Sequence, residues 1–308
     1  TARNFTENEI MPIAQKIEEE DVHPTDLYRR MGKLGFTSVL FPPEYGGSNA
    51  GHLALAIILE EVARGSSAVA SALFEGIYFG AAIYFYGNEE QRKQHIPGLC
   101  KGDFTFALGA TEPDAGSDIS SLRTTAEVKE ENFVINGQKI FCTNAEVANM
   151  IVLAARTNKD VPKHKGISLI LMDPKSDGVE IKKIYKLGNK GSRTNQVFLD
   201  DVIVPKENLL GNLNEGFKHL MNLLDFGRIG VAAIALGTAQ IAYEHSLRYA
   251  KERVQFGQPI GKFQGVSFKI ADMALEIEAA RLLTYKAAWL IDNDLPYVKE
   301  TSFSKLFT

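Results

Sequence analysis

Apolar positions fall into three regimes along the chain. From residue 6 to about residue 99 they recur at helical spacing, through NEIMPIAQKIEEE, TDLYRRMGKLGF with Asp26 as a cap candidate, HLALAIILEEVARG and a long apolar stretch to Phe85. One helical domain is expected there. Phe41-Pro42-Pro43-Glu44-Tyr45-Gly46-Gly47 interrupts it as a loop, because the prolines remove donors and the glycines permit positive φ. Beyond Gly102 the pattern changes to short β-rich runs: FTFAL, TTAEV, NFVI, KIFC, MIVLAA, ISLILMD, GVEIKKIY and QVFLDDVIV, punctuated by Gly, Asn, Asp and Pro. Strands in a row without helices between them imply a mainly antiparallel β-barrel or sandwich. Asn136-Gly137, between NFVI and QKIF, can supply the two positive φ values of a type I′ turn and predicts a hairpin at that point.

After Gly211 the helical period returns. Val266, Ile270, Met273, Ile277, Ala280, Thr284, Ala287 and Ile291 lay a narrow stripe along one helix, so two long antiparallel helices are expected. The small residues Gly230, Ala232, Ala235, Gly237 and Ala239 imply further close helix neighbours, from another chain or from a longer form of this one. The expected fold is α+β, with an N-terminal helical domain (1–101), a middle β domain (102–214) and an incomplete C-terminal helical bundle domain (215–308).

Composition narrows the function classes. With 45% hydrophobic and 23% charged residues among 308, the chain is globular rather than disordered, collagenous or a coiled-coil rod. A net charge of −4 provides no basic field for nucleic acid. Two cysteines suggest a reducing compartment, and six scattered histidines without HExxH suggest no metal site. No apolar run is expected to span a membrane, and the acidic N-terminal residues do not read as a signal peptide. There is no GxGxxG after a strand and no GxSxG. Gly257-Gln-Pro-Ile-Gly261-Lys262 is one residue short of a P-loop and is followed by Phe263, which argues against nicotinamide Rossmann and P-loop chemistry.

Four segments can carry chemistry. Residues 110–118 (ATEPDAGSD) offer small residues and the hydroxyls of Thr111 and Ser117 for a flat, electron-rich ring, or simply a turn closing a strand. Phe141 and Thr143, two apart and so expected on one strand face, suit a ring, or core packing. Arg253 at a helix end could hold a pyrophosphate bidentately, or complement the helix dipole. Asp225-Phe226-Gly227-Arg228 opens the small-residue helix, where an ordinary cap is the alternative.

Helices, a β domain and helices carrying PEYGG, TEPDAGSD, FVINGQKIFCTN and DFGRIGVAAIALGTAQIAYEHSLRYAKERVQFGQPIGKFQ, in that order, resemble the acyl-CoA dehydrogenase family over nearly the whole chain. The resemblance implies an oxidoreductase that uses FAD to convert an acyl-CoA to its trans-2-enoyl-CoA, as in fatty acid β-oxidation. It implies that Leu108, Ala110, Thr111, Gly116, Ser117, Phe141, Cys142 and Thr143 contact the isoalloxazine. Phe141 would cover a ring face where many members have Trp, and Thr143 would bond near N5. Arg253, Gln255, Phe256 and Gln264 match positions that meet the phosphates and adenine side of a neighbouring subunit's FAD, which implies a homo-oligomer, a tetramer or dimer of dimers. Asp225 and Arg228 match positions lining the acyl-CoA channel, and Ser117 and Ser192 match contacts to the CoA arm. An electron-transferring flavoprotein is the implied acceptor, and a bacterial or archaeal cytoplasm, or else a mitochondrial matrix, the expected compartment.

The resemblance departs at the base. Most members take a Glu from a Tyr-Glu-Gly-Thr motif that would lie beyond Thr308, and a minority branch places it where this chain has Gly227. No catalytic base is therefore assigned, since Glu112, Asp114, Asp118 and Asp225 match positions that are not bases. The expectation is a shortened piece of a normal enzyme, inactive by itself. The alternatives are a subunit of a heteromer that receives its base from a partner, and a flavin-free acyl-CoA-binding protein. Glu75, where a dicarboxylyl-specific branch has Arg nearby, is expected to disfavour an anionic acyl tail by like-charge repulsion and so to favour a neutral short, branched or medium chain.

Overall fold

A computed structural model describes residues 1–308. In chain order, helices α1 (Ala2–Phe5), α2 (Ala14–Glu20), α3 (Thr25–Lys33), α4 (Gly51–Gly65), α5 (Ser67–Tyr86) and α6 (Glu89–Cys100) precede the strands. These are β1 (Phe106–Gly109), β2 (Thr125–Lys129), β3 (Asn132–Thr143), β4 (Met150–Arg156), β5 (Ile167–Met172), β6 (Val179–Lys183), β7 (Thr194–Pro205) and β8 (Leu209–Leu210). Helix α7 (Gly216–Glu252), a hairpin of β9 (Val254–Gln255) and β10 (Gln258–Pro259), α8 (Gln264–Asp292) and α9 (Val298–Phe307) follow. The chain forms two compact units: residues 16–50 with 72–224, and residues 1–15 with 51–71 and 225–308.

The first unit is built on an eight-stranded sheet of order β6-β7-β3-β2-β4-β5-β8, with β1 paired parallel to β4. Apart from β1–β4 and one parallel bridge from β2 to β4, its pairings are antiparallel. Inward residues such as Phe133, Ile135, Cys142, Leu153, Ile170 and Val202 form its core. The expected hairpin at Asn136-Gly137 does not exist. NFVI and QKIF belong to one twelve-residue strand, because β2 and β7 pair with it on both sides. The β2–β3 hairpin turns instead at Glu130-Glu131, with Glu130 at φ +49°. Gly137 serves a close approach, since a Cβ there would lie 2.5 Å from the Thr124 hydroxyl and 2.7 Å from its Cα. Opposite it β7 carries one extra residue, and Asn136 holds the bulge by donating to Asp201 Oδ1 and accepting from the Asp201 N–H, both at 2.8 Å.

In the second unit α7 and α8 pack through Leu236, Ile277 and Ala280, as the stripe predicts. The close neighbour implied by the small residues of α7 lies within this chain: a Cβ on Gly237 would sit 2.1 Å from the Glu60 carbonyl oxygen and 2.8 Å from Ala63 of α4. Asp292, at the end of α8, accepts the first N–H groups of α4 from His52 (2.6 Å) and Leu53 (2.9 Å), a cap supplied from 240 residues away in sequence. The type I′ turn falls at Phe256-Gly257, with φ values of +50° and +75°.

No apolar run reads as a membrane span in the sequence, yet two helices are long and apolar enough, by length and composition alone, to cross a membrane. Helices α5 and α7 contain windows of mean hydropathy 1.5 and 1.4. Of those windows 72% and 50% are buried inside the protein, so α5 is apolar nearly all round because it is enclosed by protein.

Candidate functional site

The loop at 110–118 is fastened at its root. Glu112 and Ala115 exchange two backbone hydrogen bonds of 3.1 Å around Pro113-Asp114, and the Glu112 side chain turns inward, 6% exposed. There it accepts from the N–H groups of Arg123 (2.6 Å) and Thr124 (2.9 Å) and from Lys139 Nζ (2.8 Å), while Lys139, fully buried, also donates to the Ala110 carbonyl (3.2 Å). Burial alone would raise the Glu112 carboxyl, but Lys139 and the donors at Thr124 and Arg123 outweigh it and hold the group below its ordinary value. Asp118 is drawn well below the usual carboxylate range by hydrogen bonds from Lys163, Ser120 and Ser121. Asp114 pairs with Arg123 at 3.2 Å on the surface. All three loop acids are thus engaged structurally.

The loop and the strand tip meet directly: the Ile140 N–H donates to the Thr111 carbonyl at 2.9 Å. At that point β3 advances three residues, Lys139 to Cys142, while β7 advances two, so β3 bulges. Phe141 takes a left-handed conformation, φ +58°, and its ring is 61% exposed. A bulky side chain rarely adopts this backbone, which costs about 1–3 kcal/mol and marks functional sites. The bulge also breaks strand alternation, so the reason for placing Phe141 and Thr143 on one face does not hold. Cys142 faces the core, where burial pushes its thiol up to about 12, and only its backbone is left for a ligand.

Thr143 and Asn144 face Glu75 of α5. The Asn144 amide donates to Glu75 Oε2 at 3.1 Å, the Ser192 hydroxyl lies 3.4 Å from the same oxygen, and Thr143 hydrogen-bonds the carboxyl. Burial raises the Glu75 carboxyl to about 8 against the opposing charge of Lys186. Raised this far, it carries less charge at neutral pH with which to repel an anionic acyl tail than an ordinary glutamate would. Ser192, expected on the CoA arm, is 1% exposed and faces Glu75.

Among the remaining residues of this unit, Ala110 is buried, Leu108 and Thr111 are half-buried, and Gly116 and Ser117 are exposed. A Cβ on Gly116 would meet nothing within 4 Å. In the other unit Arg253, Gln255, Phe256 and Gln264 are all exposed at the β9–β10 hairpin and the start of α8, and the Phe256 ring is 93% exposed. Asp225 and Arg228 form an ion pair on one face of α7, with Gly227 between them. Sequence reading missed the Glu112–Lys139 pair, and it missed that Glu75 reaches the strand tip. The one available signal was a single acid inside a twenty-residue apolar helix.

An outward aromatic ring on a strained bulge, a half-buried hydroxyl two residues on and a small-residue loop bonded to the same strand fit a flat heteroaromatic ring. Together with the order of helical, β and helical parts, they are those of the acyl-CoA dehydrogenase fold. Family models for the N-terminal, middle and C-terminal domains of acyl-CoA dehydrogenase match residues 1–103, 107–202 and 214–308. The chain is 40% identical to the probable acyl-CoA dehydrogenase YngJ of Bacillus subtilis, covering 99% of this chain and 81% of that protein. It is also 40% identical to the short-chain specific mitochondrial acyl-CoA dehydrogenase of Homo sapiens, covering 99% and 74%. Among solved structures, butyryl-CoA dehydrogenase from Megasphaera elsdenii superposes with a TM-score of 0.96 at 36% identity, covering 99% and 81%. A chain from a study of the electron transferring flavoprotein of Acidaminococcus fermentans gives 0.97 at 38% (99% and 81%), and PigA with FAD and proline gives 0.94 at 29% (99% and 81%). The chain belongs to the acyl-CoA dehydrogenase family, whose members are oxidoreductases.

Proposed function

We propose that this chain binds FAD and serves the α,β-dehydrogenation of an acyl-CoA thioester. The observation that carries the reading is Phe141, held outward at φ +58° on a strand tip bonded to the Thr111 loop. Leu108, Ala110, Thr111, Gly116 and Ser117 would border the isoalloxazine, Phe141 would cover it, and the backbone of Cys142 and the hydroxyl of Thr143 would meet its edge. Arg253 would take a phosphate of a second copy's FAD through its guanidinium fork, with Gln255, Phe256 and Gln264 beside it. FAD when bound supplies the two-electron acceptor; the chain's own groups bind, orient and exclude water.

The bare apolar side chains of α8, Phe268 (60% exposed), Leu275 (70%) and Leu282 (63%), support a homo-oligomer. Asp225 and Arg228 would line the acyl-CoA channel. The loop acids are tied up in structural pairs and Asp225 is paired with Arg228, so the base is proposed to be a carboxylate from outside these 308 residues, which would be inactive by themselves. The short-chain and butyryl-CoA relatives support a neutral short acyl chain, and the flavoprotein study supports an electron-transferring flavoprotein as acceptor.

The test is purification of the full-length protein. FAD released on denaturation, together with faster flavin bleaching by butyryl-CoA than by glutaryl-CoA, is expected. A colourless protein that takes up no FAD on reconstitution overturns the reading.

A further inference from the structure

Glu75 is the one acid at the strand tip not spent in an ion pair. Its carboxyl receives the Asn144 amide at 3.1 Å, with the Ser192 hydroxyl at 3.4 Å and Thr143 also in hydrogen-bond contact. The charge facing it is Lys186, on the β6–β7 connection. Lys186 donates to the carbonyls of Asn189 (2.8 Å) and Ser192 and feels Asp21, Glu18 and Lys183 behind it. Asn144 is fully buried, and its Oδ1 has no partner. An ionised carboxyl can only accept, so it takes the Thr143 proton and leaves that hydroxyl able only to accept from anything else. A protonated carboxyl has one proton to give. Delivered to Thr143 Oγ1, it frees the Thr143 proton to point outward, and a half-turn of the Asn144 amide would offer the idle Oδ1 to the same carboxyl.

We propose that Glu75 is a positioning residue whose proton decides whether Thr143 donates to, or accepts from, the ring bound at the strand tip. The proposal rests on the FAD reading above. Oxidised FAD presents an unprotonated ring nitrogen, an acceptor, at its edge, so it binds better when Thr143 donates and Glu75 is neutral. Burial, which raises the Glu75 carboxyl to about 8, puts the change in an accessible range.

The experiment is the dissociation constant of oxidised FAD from the full-length apoprotein between pH 6 and pH 9.5, read by flavin fluorescence. For one hydrogen bond of about 1–1.4 kcal/mol, binding by the unaltered protein is expected to weaken about five- to tenfold across the range. Glu75→Gln, which keeps a donor for Thr143 at every pH, should hold its affinity within about twofold. Thr143→Ser should keep the pH dependence and Thr143→Val should lose it. Equal pH dependence in the unaltered protein and Glu75→Gln overturns the proposal while leaving the FAD reading intact, as does persistence of the dependence in Thr143→Val. Absence of FAD binding at every pH overturns both. Should Glu75→Gln fail to fold, the two Thr143 variants decide alone.

Discussion

At the residue scale the site is governed by buried titratable groups whose partners differ. Glu75 has burial against it, and its folded value of about 8 stands above the ordinary 4.5. Folding therefore takes up a proton between those limits. The stability contributed is complete below pH 4.5 and is lost as pH climbs through 8, at up to about 1.4 kcal/mol per pH unit. Urea unfolding at pH 5, 6, 7 and 8 should show that slope in the unaltered protein and a flatter profile in Glu75→Gln. Glu112 and Lys139 are buried as a mutual pair at 2.8 Å. Lys139→Met strands the Glu112 charge and should cost about 3–5 kcal/mol, and adding Glu112→Gln should recover part of that, as measured by denaturant midpoint. Neither role was legible in the sequence. An acid in an apolar helix and a lysine in a strand acquire their chemistry from partners 69 and 27 positions away, which no local pattern encodes.

At the element scale, strand and helix identities were largely legible from periodicity, and the failures share a cause. Asn136-Gly137 has the dihedral freedom for a turn, yet β2 and β7 claim the residues on both sides of it and the strand runs on. The two-residue turn with paired positive φ appears instead at Phe256-Gly257, where the surroundings impose a geometry that propensity would not assign to phenylalanine. The Phe141 bulge was equally hidden. Phe141→Gly exchanges strain for chain entropy and should leave unfolding free energy within about 1 kcal/mol, while weakening FAD binding about five- to tenfold by removing the ring. Equilibrium unfolding and flavin titration of the same preparation separate the two effects. The α4 cap is a purely structural counterpart: Asp292→Ala should cost about 1–2 kcal/mol with FAD affinity unchanged, checked by thermal melts with and without flavin.

At the scale of the whole molecule, the strand tip and the 110–118 loop belong to one compact unit and Arg253, Gln255, Phe256 and Gln264 to the other, and the proposed reading gives the latter to the FAD of a second copy of the chain. Arg253, Gln255 and Phe256 are exposed. Arg253→Ala should leave thermal stability of the apoprotein within about 0.5 kcal/mol and lower flavin retention about tenfold through size-exclusion chromatography. Unchanged flavin content would remove Arg253 from the cofactor site. The family was legible in the order of four motifs, whereas the engagement of each acid, which decides what can act as a base, required the packed structure.

The two ends of the 110–118 loop are moored by ion pairs of opposite character. Glu112 and Lys139 are 6% and 0% exposed, beyond the reach of mobile ions, whereas Asp118 and Lys163 are 57% and 56% exposed in open solvent. Concentrated electrolyte would therefore slacken the far end of the loop and spare the near one, making ionic strength a selective handle on the half that carries Gly116 and Ser117.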